Sequence, residues 1–192
     1  VKVLVTQVID SMGLEALKRA GLEVDVWPGP GPIPRDELLR RVSGCDGLIP
    51  MPTDLIDDAV MDAGALRVVA NHAVGVDNID LAAACDRGIV VTNTPGVLTD
   101  ATADLTMALM LAVARRIVEG HDLIRGGEFY GWRPTMLRGM DLSGATLGLI
   151  GKGRIGQAVA VRAQAFGMEV VHHSRSGGLS LEALLQAADV VS

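Results

Sequence analysis

Short β-branched runs alternate with helix-length amphipathic stretches from the first residue of this chain, and that alternation restricts its fold more than any other feature. "VKVLV" (1–5), "LEVDVW" (22–27), "DGLIP" (46–50), "LRVVA" (66–70) and "IVVTN" (89–93) have the length and side chains of strands. Between them, residues 11–20 carry helical spacing with Ser11 as a cap, and further helices are expected near 35–43, 54–63 and 80–87. "PGPGPIP" (28–34) can only be a loop. Strands separated by helices predict a mainly parallel sheet covered on both faces, so residues 1–95 read as one open α/β domain.

A long helix follows, capped by Thr99 or Asp100, with an apolar set from Ala103 to Val118 that covers nearly its whole circumference. A helix apolar all round is expected to be buried between domains or subunits. Its most apolar run, "LTMALMLAVA" (105–114), is far shorter than the roughly 20 residues a bilayer span needs, so no membrane role is expected. Residues 120–140 break the pattern with Gly, Pro and aromatics and read as a surface connection or an arm gripping a second subunit. From residue 146 the alternation restarts: a strand, a helix over about 154–166, the strand "MEVVHHS", a short helix at 180–187, and a third strand in "ADVVS". This reads as the first half of a second α/β unit, over 141–192.

Composition excludes several classes. The net charge is −6 with scattered basic residues, which is no electrostatic footprint for nucleic acid. The opening "VKVLVTQVID" lacks the charged start and cleavage site of a secretory signal, so a cytoplasmic protein is expected. Cys45 and Cys85 are too few for a disulfide framework and match no metal-ligand spacing; reduced thiols and no metal are expected.

The chemistry-bearing stretch is "LGLIGKGRIGQAV" (147–159). A strand enters it and an apolar-periodic helix leaves it, which is the setting a dinucleotide-binding glycine pattern requires. Gly151 allows the tight turn, Gly153 lets the backbone approach a pyrophosphate, and Gly156 lets helix and strand pack closely. The helix start adds unpaired N–H groups and a positive dipole end, and Lys152 and Arg154 add charge. NAD sites usually carry an acid about twenty residues further on; here Ser174 and Arg175 stand there. A hydroxyl and a guanidinium suit a 2′-phosphate, so NADP(H) is expected over NAD(H).

Three ordered segments, "NHAVGVDNIDL" (71–81), "RGIVVTNTPGVLTDATADLTMALMLAVARR" (87–116) and "LGLIGKGRIGQAVAVRAQAFGMEV" (147–170), resemble the D-isomer-specific 2-hydroxyacid dehydrogenases, most closely the glyoxylate/hydroxypyruvate reductase branch. The resemblance implies a flavodoxin-like substrate domain, an incomplete Rossmann domain, and a long helix with an arm (96–140) that forms a homodimer. It implies hydride transfer from the cofactor to a small 2-oxo acid, bound in a cleft with hinges near 94–100 and 141–145. By that resemblance Val74 and Gly75 present N–H groups to the substrate carboxylate, in a turn able to form an anion nest. Met51 and Pro52 border the substrate pocket, Thr102 lies near the nicotinamide, Gly153, Arg154 and Ile155 line the pyrophosphate, and Ser174 and Arg175 the 2′-phosphate. The family's catalytic Arg, Glu and His are expected beyond Ser192, so no catalytic residue is assigned and the chain by itself is not expected to turn over. His72, His121, His172 and His173 match none of those positions. The family also carries several more residues between "HSR" and "LSLEALL" than this chain has. A catalytically inactive nucleotide-binding, corepressor-like module, or a related phosphoglycerate or formate dehydrogenase, are the alternatives.

Overall fold

A computed structural model describes residues 1–192, which divide into two compact units, Val1–Pro95 and Gly96–Ser192. The first runs β1 (Lys2–Val5), α1 (Ser11–Arg19), β2 (Glu23–Val26), α2 (Arg35–Val42), β3 (Gly47–Ile49), α3 (Asp58–Ala63), β4 (Val68–Ala70), α4 (Leu81–Asp86), β5 (Val90–Thr92). Its sheet is parallel throughout, as the alternation implies, and its order β2-β1-β3-β4-β5 is the flavodoxin-like arrangement the resemblance implies. Leu4, Leu48 and Val69 are register partners on adjacent strands, and all three are buried with Leu38, Val42 and Val60 of α2 and α3.

Polar groups set the local boundaries. Asp10, not Ser11, caps α1 by accepting the Met12 N–H at 2.8 Å. The third helix begins at Asp58, later than the apolar pattern suggests, because Asp54 is only 4% exposed and turned into the interior. There it accepts the hydroxyl of fully buried Thr6 and the Met51 N–H at 2.8 Å, tying the end of β1 to the loop after β3. Asp57 takes over as cap, accepting the Val60 N–H at 3.3 Å. The Arg35 guanidinium, 2.5 Å from Asp57, holds that carboxyl below its ordinary value against a smaller opposing effect of burial.

The second unit runs α5 (Thr99–Ala114), α6 (Ile117–Arg125), β6 (Thr146–Ile150), α7 (Arg154–Ala165), β7 (Glu169–Ser174), β8 (Gly177–Gly178), α8 (Leu181–Ala187), β9 (Val190–Val191). Its core joins Ala103, Met107, Met110 and Ala114 of α5 to Leu147 and Leu149 of β6 and Val159, Ala160 and Ala163 of α7. Arg162 adds ion pairs from α7 to Asp104 (2.6 Å) and Asp100 (3.0 Å). Within this unit α5 is not buried all round: Leu105, Leu109 and Val113 are exposed. Nor does it reach Val118, since Arg116 adopts a left-handed conformation (φ 52°, ψ 41°) that ends one helix and starts the next. Neither Thr99 nor Asp100 caps α5; Leu98 holds the cap position without a side-chain bond.

The sheet order is β8-β7-β6-β9; the expected strand in "ADVVS" is β9, and the short β8 is an element the alternation does not predict. The strand in "ADVVS" pairs with β6, on the side away from β7. Between β7 and β9 the chain first folds back as the antiparallel β8 and then crosses through α8; this connection, Arg175–Asp189, is long enough for the crossover of about a dozen residues that parallel strands need. The helix α8 then crosses β6 at Gly148, where a Cβ would come within 2.7 Å of Leu184 and 2.8 Å of Ala188. The hairpin depends on glycine: Gly178 has φ 99°, and a Cβ there would overlap the His172 carbonyl. Gly178→Ala is expected to cost at least about 1 kcal/mol and to speed hydrogen exchange at the Leu179 amide, which donates to His172 at 2.8 Å. Unchanged exchange at Leu179 in the variant would contradict this account of the hairpin.

Candidate functional site

Each unit carries a run of unpaired main-chain donors just past a strand. In the first it is the turn after β4. The carbonyl of Ala73 accepts the Thr94 N–H at 2.9 Å, that of Val74 accepts Asn93 Nδ2 at 2.8 Å, and that of Gly75 accepts Asn71 Nδ2 at 2.8 Å. The N–H groups of Val74, Gly75 and Val76 donate to no protein acceptor. Val74 and Gly75 are exposed, so this run of amides faces solvent, the composition of an anion nest. The Val74–Gly75 pair expected from sequence has this character, and Val76 extends it. The Asp77 carboxylate flanks the turn, 3.2 Å from where a Cβ on Gly75 would stand.

Asn78 joins this turn to the loop after β3. Its Nδ2 donates to the Met51 carbonyl at 3.2 Å and the Asp54 carbonyl at 3.1 Å, while its Oδ1 accepts Asn71 Nδ2 at 3.0 Å. Met51 is thereby drawn inside. Its side chain is buried, and its N–H is taken by Asp54 and by Thr6 Oγ1 at 3.1 Å, so it offers no free polar atom to a ligand. Pro52 beside it is exposed.

In the second unit the donors lie at the start of α7. Gly151, at φ 99°, makes the turn and donates its N–H to the His173 carbonyl at 2.8 Å. Gly156 lies so close beneath that a Cβ would overlap the Gly151 carbonyl. Gly153 holds the cap position without a side-chain bond, and a Cβ on it would meet only open space. The first-turn amides of Arg154, Ile155 and Gly156 have no partner within the helix, and beside the helix start lies a groove of about 700 Å³ lined by Lys152, Gly153, His172, Ser174, Arg175 and Ser176 among others. No carboxylate lines it, and Lys152, Arg154 and Arg175 take part in none of the chain's ion pairs. Ser174 Oγ donates to the Gly177 carbonyl at 2.9 Å and lies 3.2 Å from Ser176 Oγ, which fixes the turn that presents Arg175. An open glycine, free amides and unopposed cations fit a pyrophosphate with a further phosphate near Ser174.

The remaining expected residues fall outside these two clusters. Thr102 is half-buried near the start of α5, its carbonyl accepting Thr106 Oγ1 at 2.8 Å. Of the histidines, His72 is exposed beside the first turn, His121 sits on α6, and His173 Nδ1 is 2.8 Å from the Leu179 carbonyl. Sequence reasoning missed Asn71, Asn78 and Asn93, which hold the first turn, and Ser176 in the groove. Asn71 and Asn93 carry the signal of asparagine just past a strand end, where it commonly bonds backbone; Asn78 and Ser176 carry none.

The chain belongs to the D-isomer specific 2-hydroxyacid dehydrogenase family, whose catalytic-domain description matches residues 3–192. It is 50% identical to a glyoxylate reductase of Thermococcus kodakarensis over 180 residues, 91% of this chain and 54% of that protein. The crystal structure of the TT0316 protein of Thermus thermophilus superposes with a TM-score of 0.94 at 56% identity, covering 100% of this chain and 63% of that one. An acyclic imino acid reductase, solved with NADPH and D-Arg, gives 0.84 at 25% identity, covering 100% and 64%. The chain spans about half the length of the curated relatives it matches.

The hydrogen-bond pattern sets an expected exchange profile. The amides of Val74, Gly75 and Val76 should exchange with solvent at near-intrinsic rates, while those of Thr94 and His72, bonded to the Ala73 and Pro50 carbonyls, should be protected. Protection at Val74–Val76 in the free protein would show that the turn is built otherwise.

Proposed function

We propose that this chain carries the substrate- and cofactor-binding parts of an NADPH-dependent reductase that converts glyoxylate or hydroxypyruvate to the D-2-hydroxy acid. The observation that carries the reading is the outward run of amides Val74, Gly75 and Val76, whose neighbouring carbonyls are all engaged internally. Such a run suits an anionic group, and a carboxylate is one it can hold. The naming of relatives as glyoxylate reductases supports a short 2-oxo acid over a bulkier one.

The α7 amides and Gly153 would hold the pyrophosphate, and Ser174 and Arg175 the 2′-phosphate, with Thr102 near the nicotinamide. The cofactor, when bound, supplies the hydride. The residues present then hold and orient: the first turn fixes the acid by its carboxylate, and the second unit's groove fixes the phosphates. No proton transfer is assigned to His72, His121, His172 or His173. The absence of any acid from the groove lining supports NADPH over NADH, because a carboxylate there would repel the extra phosphate.

Steady-state rates with glyoxylate and hydroxypyruvate, against 3-phosphoglycerate and formate in the oxidative direction, test the activity on the full-length protein. NADPH should be used at lower KM than NADH, and Arg175→Ala should raise the NADPH KM about tenfold while leaving that for NADH nearly unchanged. Equal KM values for the two cofactors in the unmodified protein would defeat the preference. Binding of cofactor and acid without turnover would instead favour the inactive-module alternative.

The same reading includes a homodimer formed through residues 100–140 and a cytoplasmic setting. The exposed stripe Leu105, Leu109 and Val113 on α5, beside a hollow of about 890 Å³ lined by Met110, Met140 and Val190, supports the dimer. Cys45 and Cys85 are both free thiols, which suits a reducing compartment, and no helix is long and apolar enough to cross a membrane. Leu109→Glu should convert a dimer to monomer in sedimentation; a native protein that already sediments as a monomer would refute the assembly.

A further inference from the structure

We infer that Asn93 is a positioning residue of the carboxylate site, with Asn71 and Asn78 completing the frame behind it. The inference rests on the reading of Val74–Val76 as the anchor for the acid. In a trans peptide the carbonyl of one residue and the N–H of the next point in opposite directions from a rigid plane. Every peptide bond of this chain is trans. Fixing a carbonyl therefore aims the following amide, and each of the three amides has such a fixing bond behind it. The Thr94 N–H holds the Ala73 carbonyl and so aims the Val74 amide. Asn93 Nδ2, at 2.8 Å from the Val74 carbonyl, aims the Gly75 amide. Asn71 Nδ2, at 2.8 Å from the Gly75 carbonyl, aims the Val76 amide.

The frame has a buried part and an exposed part. Asn71 is 1% exposed and locked by Asn78, which also holds the Met51 and Asp54 carbonyls. Asn93 stands at the surface, and Nδ2 to the Val74 carbonyl is its one side-chain bond. The peptide it holds ends in Gly75, whose backbone rotates most freely. Without Asn93 that peptide can turn over and present a carbonyl where the site needs a donor. Asn93 thus acts through the backbone and touches no reacting atom.

The test is a titration of the 192-residue chain with glycolate, followed through backbone amide resonances, with uncharged glycolamide as control. Glycolate should shift the Val74, Gly75 and Val76 resonances. Asn93→Ala should weaken its binding about five- to tenfold at unchanged thermal midpoint, and glycolamide should not distinguish the two proteins. In the full-length protein the same variant should raise the KM for glyoxylate and not that for NADPH. If Asn93→Ala lowers the thermal midpoint, Asn93→Leu, which keeps the shape, loses the donor and adds no charge, replaces it in the comparison. Equal glycolate affinity in variant and unmodified chain overturns the role of Asn93 and leaves the carboxylate reading standing. No shift at Val74–Val76 in the unmodified chain overturns the carboxylate reading, and this inference with it.

Discussion

Parallel strands impose the constraint from which the rest follows. When each strand is followed by a crossover, all carboxyl ends of a sheet lie along one edge, and the loops that leave them are gathered there. Beyond the last ladder bond the backbone still carries its donors and acceptors, and each must find a partner or face water. In the first unit the loops after β3, β4 and β5 satisfy one another's carbonyls through asparagine side chains, which leaves a short row of amides outward. In the second, the loop after β6 runs directly into α7, so the orphan donors are those every helix start possesses. Two differently built donor clusters thus arise from one topological rule.

The sequence disclosed this architecture to the extent that periodicity controls it. The parallel five-stranded sheet follows from alternation, and the β6–α7 joint from its glycines, because Gly151 and Gly156 stand where any Cβ is excluded by backbone geometry or by the Gly151 carbonyl. Features decided by tertiary partners were not legible. Nothing local marks Arg116 as left-handed, and a continuous apolar pattern runs through the break it makes. Met51 reads as a loop residue bordering a pocket, yet a buried Asp54 and Thr6 pull it inward. Nothing local to Val190–Val191 marks which side of β6 it pairs with.

Charge distribution follows a similar division of labour. Arg35, Arg40, Arg41, Arg87, Arg115, Arg116 and Arg162 are all engaged by carboxylates, mostly at the surface, where water and salt screen each pair and it contributes little to stability. Glu37, between Arg40 and Arg41, is held down to about 2 by hydrogen bonds first to Arg40 and then to Arg41. Lys152, Arg154 and Arg175, gathered around the start of α7, are among the cations that make no ion pair, in a chain whose net charge is −6. Because exposed charges are screened within about 8 Å at physiological salt, that local excess rather than the global deficit governs what enters the groove.

The tied-back carbonyls at Ala73, Val74 and Gly75 carry an evolutionary consequence. A cluster of donors drawn wholly from the main chain has no side chain to lose, so substitution at position 74 reshapes the wall around a ligand without dismantling what grips it. Recognition of the constant part of a ligand and tolerance of its variable part are assigned to different atoms of the same residues. On the carboxylate reading proposed above, side chains at the turn can be exchanged freely, while Asn71 and Asn93, which fix its carbonyls, cannot.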